Sequence, residues 1–134
     1  MNWMLVAAAL GAGTVGAFTD WLFMGMLFHD AYLVYPETWW PRETGKENRA
    51  IILSSLIGYV MSGGVVVLCA AANVHSITLG LEFAAIAWLA GPAVVVVVNG
   101  FFFRVDPRIT VAHCLGWLAR MAIAGAAAGY VLGR

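Results

Sequence analysis

The sequence predicts an all-α fold, a transmembrane four-helix bundle with a roughly twenty-residue interfacial loop between helices one and two. Three observations carry that prediction. The chain is 134 residues long, 63% hydrophobic and only 10% charged. Its mean hydropathy is +0.88, and a water-soluble domain of this size could not bury so much apolar side chain under so few charges. Four apolar runs each approach the length that a hydrocarbon core of about 30 Å demands of a helix rising 1.5 Å per residue.

The runs cover 3–28, 50–72, 79–103 and 110–132, so 1–134 reads as a single integral membrane domain. The first run has no basic residues ahead of it and stays apolar past a cleavable length. Despite Val15-Gly16-Ala17 it reads as a retained helix rather than a signal peptide. In the third run, Val94 to Val98 would suit a strand in water, but an unpaired strand in lipid leaves several backbone groups unsatisfied. Gly91 and Pro92 lie inside that run and predict a kink. Between the first two runs, Tyr32, Tyr35, Trp39 and Trp40 stand among prolines and charges, the composition of a segment at the headgroup level. Arg42, Lys46, Arg49, Arg104 and Arg108 flank one set of connections and Arg134 alone the other, which puts both termini on the non-cytoplasmic side.

Seven basic and seven acidic residues cancel, leaving no basic field for nucleic acid. Gly11-Ala-Gly13-Thr-Val-Gly16 spells a dinucleotide fingerprint, but it lacks the preceding strand and the soluble βαβ unit, so no nucleotide is expected. Gly13 and Gly16 on the first helix, Gly58 and Ser62 on the second, and Gly125 and Gly129 on the fourth have the spacing of close helix contacts.

Asp20 and Arg120 are the informative charges. Each costs about 2.5–3.5 kcal/mol at a bilayer centre unless paired or hydrated, and their depths match closely enough for a pair between helices one and four. That pair reads either as a bridge fixing register or as part of a solute or proton path. His113, Trp117 and Arg120 share a face of the fourth helix, so a polar cavity with Asn99 and His29 as further candidates is conceivable. His29, nine residues after Asp20, is expected on the opposite face of its helix. No Cys or His cluster has ligand spacing, so neither haem nor metal is expected. Cys114 beside His113 is not a dyad, because helix neighbours point about 100° apart. Glu82 reads as a polar helix contact.

Trp21-Leu-Phe-Met-Gly-Met-Leu-Phe28, followed by Tyr32, together with Gly116-Trp-Leu-Ala-Arg120, resembles the bacterial four-helix membrane proteins grouped as domain-of-unknown-function family 1761. The likeness covers the first and fourth helices; Asp20 and the stretch from Pro36 to Pro41 depart from the family's pattern. It implies the four-helix architecture and a bacterial inner membrane, and it transfers no activity. Membrane lipids are the expected surroundings. Three functional classes stay open: an accessory subunit or small oligomer packed through Gly/Ala faces, a small permease using Asp20, His113 and Arg120, and an intramembrane enzyme or haem or metal protein.

Overall fold

The computed structural model describes residues 3–39 and 46–134, and over these the protein is a bundle of four long helices. Helix α1 spans Trp3–Leu27, α2 Lys46–Ala71, α3 Ile77–Phe102 and α4 Pro107–Leu132. Each is long and apolar enough to cross a bilayer, where only internal hydrogen bonding can satisfy the backbone. The protein is therefore a multi-pass integral membrane protein. Trp40, Pro41 and Arg42 lie outside the described residues.

The helix ends differ from the apolar runs because capping acts outside the hydrocarbon. Helix α3 begins at Ile77 rather than residue 79, since the Ser76 side chain accepts from the Leu79 N–H at 3.2 Å. Helix α4 begins at Pro107 rather than residue 110. Proline occupies its first turn, and the Asp106 carboxylate accepts from the Arg108 N–H at 2.9 Å. Asn73, at φ 54°, turns the chain out of α2 in the left-handed conformation that asparagine tolerates.

Two of the helices are not α throughout. In α1 the segment Trp21–Leu27 is a π-helix that follows directly on Asp20. In α3, Leu89–Ala93 is a second π turn and holds Pro92. The missing proline N–H is thus absorbed by a wider turn, and the helix continues to Phe102.

Helix α4 is the centre of the bundle. It packs against all three others, while α3 leans on α4 and barely touches α2. Its seam with α3 is made of backbone. A Cβ on Gly80 would strike the Gly125 carbonyl oxygen, and one on Gly129 would strike the Ser76 carbonyl oxygen. The core around the seam is built from small side chains, including Ala84, Ala124 and Ala128, with Val65, Val66 and Met121. Small residues suit lipid because association there depends on close packing rather than on escape from water. Outward, α2 presents Ile52, Leu56, Ile57 and Val60, and α3 ends in the nearly bare Phe101 and Phe102.

The chain after α1 folds back over the α3–α4 turn. It forms two short 3-10 turns, His29–Leu33 and Pro36–Thr38. The Thr38 hydroxyl donates to the Arg104 carbonyl at 2.8 Å, and Arg108 Nη1 donates to Asp30 Oδ2 at 2.7 Å. Arg104 lies 3.6 Å from Glu37 and over the Tyr35 ring. Such exposed contacts are each worth about 0–1 kcal/mol, so together they hold this flap down without making it rigid.

Candidate functional site

Two polar places on the described spans hold the residues singled out from the sequence, and they are built differently. The first is the contact between Asp20 at the end of the α-helical part of α1 and Arg120 in the middle of α4. Arg120 Nε donates to Asp20 Oδ2 at 3.1 Å, and Nη2 donates to the same oxygen. Only 3% of the arginine side chain is exposed, against 31% of the aspartate. Nη1 is buried and has no hydrogen-bond partner among the described residues.

Glycines make the room for this pair. A Cβ on Gly16 would come within 2.9 Å of the Arg120 Cγ, and one on Gly58 would strike Nη1. On Gly116 it would stand 3.3 Å from Asp20 Oδ1. Gly16 and Gly58 therefore receive a guanidinium from the facing helix α4 rather than its backbone. Gly13 is likewise covered by the Tyr59 ring, whose hydroxyl lies 2.9 Å from the Thr14 hydroxyl. Ser62 is fully buried and returns its hydroxyl to the Gly58 carbonyl at 3.1 Å. Of the small pairs, Gly125 and Gly129 are the ones that meet backbone. Gly80, which sequence reasoning passed over, is their counterpart; its spacing from Ala84 is the small-x-x-x-small signal that could have found it.

The second place lies at the loop end, where α3, α4 and the flap surround a cavity of about 350 Å³. Asn99 and His113 both line it, as do Trp39 and Phe103. His113 Nε2 lies 3.0 Å from the Tyr32 hydroxyl, and the two rings meet edge to face. The Tyr32 ring also packs against Trp39, with centroids 5.1 Å apart. Burial pushes the Tyr32 phenol up to about 12, so it keeps its proton at neutral pH.

The cavity is smaller than the sequence suggested. Trp117, His29, Asp20 and Arg120 do not line it. One cause is that α3 and α4 are already tied beside His113, where Trp88 Nε1 donates to the Cys114 carbonyl at 3.0 Å. Another is the π turn of α1, which alters the angular spacing between Asp20 and His29 and leaves His29 exposed at the start of the first 3-10 turn. Glu82 is exposed on α3. Composition brings Tyr32 only as far as the membrane interface; its hydrogen bond joins residues 81 apart and has no local signal.

Among the described residues no group of three His, Cys, Asp or Glu side chains could hold a metal ion. Cys69 and Cys114 are free thiols. No protein-family model, curated protein or solved structure matches the chain.

Proposed function

We propose that the protein is a non-catalytic accessory or structural subunit that works against another membrane-embedded protein surface. One observation carries this reading. Asp20 lies seven residues inside the end of α1, about 10 Å deep at 1.5 Å per residue, and 31% of its side chain is exposed. Hydrocarbon cannot solvate a carboxylate, even one bound to arginine. A second chain packed over this part of α1 would cover it, and the neighbouring exposed Phe18 and Trp21 would extend the contact. A further copy and an unrelated subunit would cover it equally well.

A second reading, a small permease, draws on the orphaned Arg120 Nη1, since an unpaired intramembrane donor can serve a passing anion or a water chain. A photo-crosslinker in place of Trp21 separates the two. The subunit reading expects a discrete adduct with a second polypeptide in native membranes. Labelling of lipid alone, together with modification of Asp20→Cys by a water-soluble maleimide, would replace it with the permease reading.

The same proposal places the protein in a bacterial inner membrane with both termini outside the cytoplasm. Support comes from the likeness of residues 21–28 and 116–120 to the four-helix family, and from the grouping of Arg49, Arg104 and Arg108 opposite Arg134. A reporter active only outside the cytoplasm, fused after Arg134, should be active; a silent fusion would reverse the orientation.

A further inference from the structure

The cavity at the loop end has a property that the bundle does not explain. It lies where α3 and α4 leave the membrane, and its lining is mixed. Val96, Phe103 and Ile109 are apolar, whereas Asn99 and His113 carry polar atoms. The Asn99 carboxamide and His113 Nδ1 make no hydrogen bond among the described residues, since the bond His113 does make is through Nε2. Both residues line one cavity whose volume lies in the range of small-molecule sites.

The charge pattern narrows the ligand. No Lys, Arg, Asp or Glu lines the cavity among the described residues. Two cations among the described residues near this end are engaged, Arg108 with Asp30 and Asp106, and Arg104 with Glu37. Among the described residues a phosphate head would find no counter-charge lining the cavity. Trp39 and Phe103 supply aromatic surface, and the Trp39 ring is itself backed by Tyr32.

We propose that this cavity binds an uncharged, flat, carbonyl-bearing ring on an apolar tail, the chemistry of a membrane quinone. Asn99 donates to one ring oxygen through its amide. Tyr32 donates to His113 Nε2, which leaves the imidazole proton on Nδ1 as the second donor. Tyr32 is thus a positioning residue that fixes the tautomer, and Trp39 and Phe103 hold the ring by aromatic contact. No electron transfer is implied; the site is a binding site.

The test uses the full chain in phosphatidylcholine nanodiscs, titrated with a decyl-substituted benzoquinone and read by quenching of tryptophan emission against empty discs and against Trp39→Phe. Saturable quenching that Trp39→Phe diminishes is expected. Asn99→Leu and His113→Phe should weaken binding at least tenfold, and Tyr32→Phe severalfold, with helical circular dichroism unchanged. Competition on the unaltered protein keeps the test decisive should a variant fail to fold. Decanoylglycerol, neutral but without a ring, and decylphosphocholine, with a charged head, should both fail to displace the quinone. Displacement by decanoylglycerol would overturn the requirement for a ring, and displacement by decylphosphocholine the requirement for an uncharged head. Quenching that never saturates, or that matches Trp39→Phe, would overturn the site itself.

Discussion

The Asp20–Arg120 contact and the Tyr32–His113 cavity both put polar atoms on membrane-spanning helices, yet they are constructed in opposite ways. At the first, full charges meet deep in the bundle, and three glycines from three helices make way for them. At the second, uncharged polar groups line an opening at the membrane edge, covered by a flap held through exposed contacts. Charge here joins helix one to helix four across a gap that a glycine of helix two leaves open, while the cavity is lined by neutral polar groups. A site meant to exchange ligands is better built from groups that do not collapse onto each other.

The largest effect that separates the two comes from Arg120→Leu. Leaving Asp20 without its partner should cost about 3–5 kcal/mol, read as a fall in thermal unfolding temperature in nanodiscs, and Asp20→Leu in the same chain should recover most of it. Failure of the double variant to recover would mean that the guanidinium has other tasks, Nη1 being the obvious candidate. Next comes Gly58→Ala. Its methyl group pushes against the buried tip of the Arg120 side chain, at about 1–3 kcal/mol, whereas Gly63→Ala on the same helix meets nothing within 4 Å and should be neutral or slightly stabilising. Tyr32→Phe removes one hydrogen bond at the half-exposed flap and should cost about 1 kcal/mol or less. A larger loss would show that the flap and bundle fold as one unit.

Two smaller effects appear with pH. The Tyr32 phenol is raised from 10.0 to about 12 in the folded protein, so its contribution is complete below pH 10 and lost as pH rises through about 12. Denaturation curves of the unaltered protein and Tyr32→Phe should therefore converge across that window. Asp106 is held below its ordinary value by hydrogen bonds from Arg108. Its contribution is present above the ordinary carboxylate range and lost as pH falls through the lowered value. Asp106→Asn should flatten the acid limb of the stability curve, with the smallest change of the set.

The spans were legible because bilayer thickness imposes a run length that no side-chain detail obscures. Asp20 and Arg120 could be matched because depth along two helices is simple arithmetic. The meaning of the glycines was not legible. Gly58 and Gly125 look alike in sequence, yet one accommodates a guanidinium and the other a carbonyl, and only the facing helix decides which. The cavity was harder still, since its lining comes from the flap, the end of α3 and the start of α4. Composition brings Tyr32 to the interface but cannot carry it to His113.

The π turn at Trp21–Leu27 has a consequence for how this chain tolerates change. A turn closed by i to i+5 bonds holds one residue more than an α turn, so α1 runs one residue out of step from that point on. Deleting a single residue between 21 and 27 would let the turn close as ordinary α with the chain downstream near its present phase, whereas a deletion in the α part before Asp20 would rotate what lies on either side of it by about 100°. In the first case Asp20 would stay beside Arg120 and Tyr32 would stay near His113. This one turn is then the stretch of α1 that can lose a residue with both polar contacts kept in register.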